Sequence, residues 1–179
     1  MPEEGENRGL LAPMLLRDSR RGARVGPGGE LITLEKQDRS RWNRAEIAEA
    51  LGLADDSGPT GRFRTEACIA AKHATAATSA DTDWPSVAAL YVDLFAIVHS
   101  PVIALNRALA VAMSEGCEAG LALMDRIGGS EEYYLFHAAR ADVLRRLGRK
   151  EQAAIAYRRA LAGNPVERNY LADRLESVS

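Results

Sequence analysis

The stretch "AARADVLRRLGRKEQAAIAYRRALAGNP", residues 138–165, decides the fold of this chain. Apolar residues recur every three or four positions on both sides of its central glycine, which indicates two helices. Small residues let two helices approach closely, and an aromatic ring can fill the space between them. The residues in these positions are Ala141, Ala153, Ala160, Tyr157 and, at the turn, Gly148. We therefore expect a tightly packed helical hairpin.

This spacing resembles that of a tetratricopeptide repeat, and Pro165 stands where such a repeat closes. Two positions depart from the repeat pattern, because His137 and Arg140 stand where an aromatic residue and a leucine are usual. The preceding segment, 101–127, has two stretches of helix length and a turn at Gly116, but it lacks the signature residues. The sequence therefore predicts one good repeat and one degenerate repeat.

The rest of the chain also carries apolar residues at helical spacing, so we expect an all-α fold of stacked helical hairpins, a tetratricopeptide-repeat-like array. Helices are expected at about 10–25 (started or kinked by Pro13), 40–51, 64–77, from 84 onward, and at 101–113, 117–127, 132–147, 150–162 and 166–176. A short irregular or hairpin segment is expected near residues 26–38. The predicted division is a disordered N-terminal segment at 1–8, a helical part at 9–98 and the repeats at 99–179.

Composition and charge exclude several classes of protein. The chain has 179 residues, with 23 basic against 25 acidic side chains and a net charge of −2. A free-standing nucleic-acid-binding protein usually needs a basic excess to contact phosphates. Cys68 and Cys117 lack the spacing of a metal site and suggest reduced thiols. The acidic N-terminus is unlike a signal peptide, and no apolar run is long enough to span a membrane. We expect a cytoplasmic protein without a cofactor.

Residues 45–53, "AEIAEALGL", look like the first helix and turn of a DNA-binding helix-turn-helix. That motif needs a turn of about three or four residues before its second helix. Here residues 54–61 follow, a longer segment with two adjacent aspartates that would face the phosphates. We therefore expect no direct DNA binding by this chain alone.

Six blocks along the chain carry a second resemblance. In order, they are "LLRDSRRGARV", "GELITLEKQDRSRWNRAEI", "EACIAAKHATA", "TDWPSVAALY", "SPVIALNRALAVA" and "AARADVLRRLGR". Together they resemble the C-terminal extension of one subgroup of extracytoplasmic-function (ECF) sigma factors, over about residues 9–175. In that subgroup a helical, tetratricopeptide-like domain follows the two regions that bind DNA and core polymerase.

The resemblance implies a regulatory, protein-interaction module that acts in bacterial transcription initiation. The partners that it implies are sigma regions 2 and 4, RNA polymerase or a regulatory protein, with no membrane involved. The sigma regions themselves are expected upstream of Met1, so the chain is interpreted as an excised fragment or a shortened gene product. No residue that performs sigma activity is expected within it.

Five residues are predicted to bind the partner: Arg39, Asn106, Arg107, His137 and Arg140. For Arg39, the alternative is structural, with Asp38 as a helix cap and Trp42 as a core anchor. Asn106, Arg107 and Arg140 have an alternative role too, because buried polar groups must find partners. They would then form an internal network, with an Arg140–Asp142 pair. A further basic set, Arg17, Arg20, Arg21 and Arg24, falls on one face of the expected first helix.

An alternative function belongs to another class of protein, a small-molecule or metal-binding sensor or a hydrolase. Its pocket would lie between the N-terminal helices and the repeat pair, and would use Asp38, His73, Asp81 and Asp83. Carboxylates and imidazoles are common metal ligands, but no metal-site spacing joins these four. No nucleophile stands beside a histidine at a catalytic spacing, so we do not expect an enzyme.

Overall fold

The computed structural model describes residues 2–30, 32–55, 61–129, 133–163 and 168–178, and over these residues it is all-α. It confirms the predicted fold class of stacked helices. The helices described are α1 (Pro2–Asp18), α2 (Arg44–Asp55), α3 (Arg62–Thr75), α4 (Trp84–Ile97), α5 (Pro101–Ser114), α6 (Cys117–Met124), α7 (Tyr134–Arg146), α8 (Lys150–Gly163) and α9 (Arg168–Glu176). Within the described part of the chain, no helix is both long and apolar enough to cross a membrane.

The starts of α4 and α5 follow from their capping residues. The Asp83 carboxylate accepts a hydrogen bond from the backbone N–H of Ser86, and the Ser100 hydroxyl accepts one from that of Val102. Each helix also has a proline within its first two positions, where the missing N–H would have no partner in any case. Both starts are therefore as the sequence predicts.

The chain divides into two compact units, Met1–Val98 and His99–Ser179. In the first unit, α1 packs against α2 and α3, and α3 packs against α4. Alanines dominate the contact layer, which explains how these helices approach so closely. The buried apolar residues of this layer include Ala12, Leu16, Trp42, Ile47, Ala50 and Ala67.

The beginning of the chain differs from the sequence prediction in three respects. Residues 2–8 belong to α1, where a disordered segment is expected, and α1 ends at Asp18 instead of near Val25. The Ser19 hydroxyl donates to the carbonyl of Leu16 at the helix end, and a 3-10 turn follows at Arg21–Ala23. This side-chain bond competes with helix continuation. Pro13 lies inside α1 and does not start it.

The segment between α1 and α2 is irregular. Its backbone folds back on itself, with a hydrogen bond from the N–H of Ile32 to the carbonyl of Arg24, and 3-10 turns form at Leu34–Lys36 and Arg39–Arg41. The irregular segment predicted near residues 26–38 is thus present. The helix expected from residue 40 begins instead at Arg44, because Asp38 caps the 3-10 turn by accepting from the backbone N–H of Ser40.

In the second unit, α5 packs against α6, α7 packs against α8, and α9 packs against α8. The turns at Gly116 and Gly148 have positive φ values of 108° and 73°, which favour glycine. The two helices α5 and α6 approach each other closely at Gly120. A Cβ atom there would lie 2.7 Å from the carbonyl oxygen of Ala108 and 2.8 Å from the Cα of Ala112. Only a residue without a side chain fits this crossing.

The α7–α8 hairpin has the packing that the opening stretch predicts. Ala141, Ala153 and Ala160 are fully buried, and Tyr157 is 1% exposed. The Tyr157 hydroxyl donates to the Asp142 carboxylate at 2.7 Å. The small residues therefore mark the helix contact and the aromatic ring fills the gap. Pro165, the predicted end of the repeat, lies outside the described residues.

Candidate functional site

Arg39 joins two distant segments of the first unit. Its Nη1 donates hydrogen bonds to the backbone carbonyls of His73, at 2.5 Å, and Ala76, at 2.7 Å. Both carbonyls lie at the C-terminal end of α3, where the last carbonyls have no partner within the helix. A cation is favoured there because the helix dipole is negative at this end. Arg39 thus caps α3 from a segment more than thirty residues earlier in the chain.

Two guanidinium groups lie over the ring of Trp42. The Cζ atom of Arg39 is 4.7 Å from the ring centroid, and that of Arg20 is 5.8 Å from it. Trp42 and Arg39 are only 3% and 8% exposed, whereas Arg20 is partly exposed. Such cation–π contacts are stronger when water is excluded. Arg20, Arg39 and Trp42, with His73 and Trp84 described next, are named the arginine–tryptophan cluster.

His73 completes this cluster from α3. Its imidazole meets the ring of Trp84 edge-on, with 5.2 Å between the ring centroids. Burial lowers the pKa of His73 to about 4, and the positive charges of Arg20 and Arg39 add to this effect. The imidazole is therefore neutral near pH 7.

Several buried polar atoms of the cluster have no hydrogen-bond partner among the described residues. They are Nη2 of Arg39, Nε1 of Trp42 and Nδ1 of His73. A buried donor without an acceptor costs about 1–3 kcal/mol, so such atoms are uncommon unless water or a ligand meets them. Three such atoms in one cluster indicate that water or a ligand forms hydrogen bonds there.

Acidification is expected to destabilise the protein through His73. The unfolded chain takes up a proton on this residue near pH 6.5, whereas the folded protein resists it until about pH 4. Stability from neutral His73 is thus complete above about pH 6.5 and is lost as the pH falls toward 4. Between pH 7 and pH 4.5, wild type should lose about 2 kcal/mol more free energy of unfolding than His73→Gln. Urea unfolding followed by circular dichroism measures this difference.

The matched control is His99→Gln, which changes an exposed histidine in the second unit. It should keep the full pH dependence of the wild type. An unchanged pH dependence in His73→Gln would contradict the prediction.

The four residues of the alternative sensor or hydrolase do not form a ligand set. Asp38 and Asp81 accept hydrogen bonds from Ser40 and Thr78 within their own turns. Asp83 caps α4 and pairs with Lys72 at 2.8 Å, and these hydrogen bonds lower the pKa of its carboxyl to about 2. Across the described residues, no three His, Cys, Asp or Glu side chains come together as metal ligands would.

The four other predicted partner-binding residues lie in the second unit, on the first helices of its two hairpins. Asn106 and Arg107 are on α5, and His137 and Arg140 are on α7; the two helices contact each other. Asn106 and Arg107 are partly exposed, and Nε of Arg107 is buried without a hydrogen-bond partner in the described structure. His137 is buried and packs edge-on against Phe136, with 5.6 Å between centroids.

The internal network expected for Asn106, Arg107 and Arg140 does not form among the described residues. Arg140 pairs instead with Asp125 at the end of α6, at 3.0 Å. Asp142, the partner expected for Arg140, accepts hydrogen bonds from Arg145 and Tyr157. Residues 140 and 142 are two positions apart on a helix and do not face each other, whereas positions three apart do.

The basic residues at the end of α1 do not share one helical face. Because α1 ends at Asp18, Arg17 is the one member of this set that belongs to the helix. Arg21 lies in the 3-10 turn that follows, and Arg24 comes directly after that turn. Arg21 forms an exposed ion pair with Asp18 at 2.6 Å. Arg20 turns inward to Trp42, a contact that sequence spacing gave no means to predict.

The chain is similar to proteins whose function is undescribed. Residues 1–58, which include Arg20, Arg39 and Trp42, match a family of unknown function (DUF6596). The chain is 39% identical over 184 positions to the uncharacterized protein R00370 of Rhizobium meliloti (strain 1021), a match that covers 99% of this chain and 44% of that protein. The chain thus spans less than half of that relative's length. No solved structure matches.

Proposed function

We propose that this chain is the regulatory, protein-interaction module of an ECF-type sigma factor and acts in transcription initiation. The six ordered sequence blocks support this proposal, as does the all-α fold of helical hairpins. Three of the blocks also meet in space: the segment with Arg39 and Trp42, the segment with His73, and the segment with Trp84 form the arginine–tryptophan cluster. These three blocks therefore correspond to residues that pack together within the first unit.

The proposed partners are sigma regions 2 and 4 and core RNA polymerase, or a regulator that binds them. More than half of the relative from Rhizobium meliloti lies outside the match, so a protein of this kind has room for further domains. The proposed role is to hold or release those domains. The module itself is proposed to have neither catalytic nor DNA-reading activity.

The proposed contact surface lies in the second unit, around Asn106 and Arg107. The observation that carries it is that Nε of Arg107, in the middle of α5, is buried without a hydrogen-bond partner among the described residues, and that the partly exposed Asn106 precedes it on the same helix. Stacked hairpins present a curved surface that can bind extended or helical peptides. A guanidinium and a carboxamide on such a surface suit the carboxylates and backbone of an acidic partner segment. His137 and Arg140 lie on the neighbouring helix, whereas Arg39 is buried and stays outside the surface.

The test is capture of purified sigma region 2, sigma region 4 or core polymerase by the full chain. Arg107→Ala should weaken binding at least about tenfold, because a buried charge-assisted contact contributes about 1.5–3 kcal/mol. Its matched control is Arg158→Ala, which removes the same charge from an exposed position on α8. Arg140→Ala should weaken binding less, since Arg140 already pairs with Asp125.

Thermal unfolding of each variant separates a binding defect from a folding defect. We expect Arg107→Ala to unfold within a few degrees of the wild type. If none of the three partners is captured, the proposed function is wrong. If Arg107→Ala binds normally, or unfolds far below the wild type, the proposed surface is wrong.

A further inference from the structure

Arg20 and Arg39 both lie over the ring of Trp42. Within the described part of the chain, neither guanidinium forms an ion pair. Two like charges near one buried ring repel each other, and water screens them less there than at the surface. Burial lowers the pKa of Arg20 most, and Arg24, Arg17 and Arg39 lower it further. The region is therefore electropositive and would favour an anion.

Two hydrogen-bond donors in this contact have no acceptor among the described residues. Nη1 of Arg39 is occupied by the carbonyls of His73 and Ala76, but Nη2 has no acceptor among the described residues. Nε1 of Trp42 is a second buried donor in the same position. Indole nitrogens normally find a partner when they are buried. Two buried donors without an acceptor among the described residues, beside two positive charges, form an arrangement that suits a bound anion.

We propose that Arg20, Arg39 and Trp42 bind the carboxylate of a small organic ligand. The carboxylate accepts hydrogen bonds from Nη2 of Arg39 and Nε1 of Trp42, two buried donors whose side chains are in contact, with the Cζ atom of Arg39 4.7 Å from the Trp42 ring centroid. Arg20 balances the charge from the more exposed side of the cluster. Nδ1 of His73 is an additional polar atom within the cluster.

The geometry favours a carboxylate over a phosphate. Two vacant donors match a group with two acceptor oxygens, whereas a phosphate presents more oxygens and up to two negative charges. The negative charge of Asp81 acts on Arg39 and partly offsets the positive charge of the site. This favours a ligand group with a single negative charge. Since Arg39 and Trp42 are almost fully buried, a small group such as a carboxylate reaches their donor atoms more readily than a larger one.

This site is independent of the proposed partner surface, because it lies entirely in the first unit. Loss of carboxylate binding would leave capture of the sigma regions or polymerase unaffected, and the reverse also holds. The two proposals can therefore fail separately.

Calorimetric unfolding of the full chain with sodium acetate as the probe tests the proposal, with sodium chloride at equal ionic strength and inorganic phosphate as parallel arms. Acetate should raise the unfolding temperature by about 2–4 °C at saturation, since a ligand that binds only the folded state stabilises it. Arg20→Gln should abolish this rise. Arg24→Gln removes the same charge nearby without contacting Trp42, and should keep it. Trp42→Phe retains an aromatic ring, removes the Nε1 donor and should reduce the rise.

Four outcomes would overturn the proposal. The first is an equal rise with chloride, and the second is a rise with phosphate but not acetate. The third is no rise at all, as expected if water alone meets the vacant donors. The fourth is equal loss of the rise in Arg24→Gln and Arg20→Gln, which would indicate a general charge effect. If Arg20→Gln does not fold, Trp42→Phe and Arg24→Gln still decide the question.

Discussion

Replacing Arg39 with alanine should lower the free energy of unfolding by about 3 kcal/mol. The substitution removes two hydrogen bonds from a charged donor and leaves the carbonyls of His73 and Ala76 without a partner. It also removes the cation from the end of α3 and from the ring of Trp42. Chemical denaturation of the two proteins measures the difference.

The matched control is Arg41→Ala, in the same 3-10 turn. Arg41 is exposed, and the described structure gives its side chain no hydrogen bond, so the change should stay within about 0.5 kcal/mol of the wild type. Arg39→Lys should fall between the two, because one ammonium group does not stack and cap in the same planar way. If Arg39→Ala is as stable as Arg41→Ala, the cap contributes nothing and the original partner-binding prediction for Arg39 regains support.

Replacing Gly120 with alanine should destabilise the second unit by about 2–3 kcal/mol. The new methyl group would overlap the backbone of α5 at Ala108 and Ala112, and backbone atoms do not rotate away as flexible side chains do. The α5–α6 crossing must therefore widen, which loosens the packing around Leu121 and Met124. The loss exceeds the gain of up to about 1 kcal/mol that alanine normally brings to a helix.

Gly52→Ala is the control for that intrinsic gain. Gly52 also lies inside a helix, α2, but a Cβ atom there would meet nothing within 4 Å. This variant should be more stable than the wild type by about 0.5–1 kcal/mol. If both substitutions change the free energy of unfolding in the same direction and by the same amount, the close helix contact at Gly120 does not make alanine unfavourable there.

The α7–α8 hairpin could be predicted because its information is local. Three alanines and a tyrosine at helical spacing leave one close-packed arrangement of two helices joined at Gly148, and the structure has it. The same holds for the starts of α4 and α5, where Asp83 and Ser100 cap the chain within three residues. Short-range patterns of this kind depend on spacing alone.

The role of Arg39 could not be predicted in the same way. Its acceptors are backbone carbonyls, which every residue has, so no side chain in the sequence marks them. They become available only because α3 ends near Thr75 and the chain brings that end to the 3-10 turn. The interpretation of Asp38 as a cap and Trp42 as a buried anchor was available from residue type and position.

The ion-pair partner of Arg140 could not be predicted for a related reason. Arg140 pairs with Asp125, fifteen residues earlier, and the sequence offers many acidic residues at comparable separations. The choice among them depends on the crossing of α6 and α7. That crossing is set by how the two helix surfaces pack, and short-range spacing does not reveal it.

The positions of the two tryptophans have a practical consequence. Trp42 and Trp84 are the chain's complete set and both belong to the first unit, so indole fluorescence reports on that unit alone. Helical ellipticity, in contrast, sums over both units. If the emission and the ellipticity change at different denaturant concentrations, the two halves of the molecule unfold one after the other, and the order can be read without labelling either half.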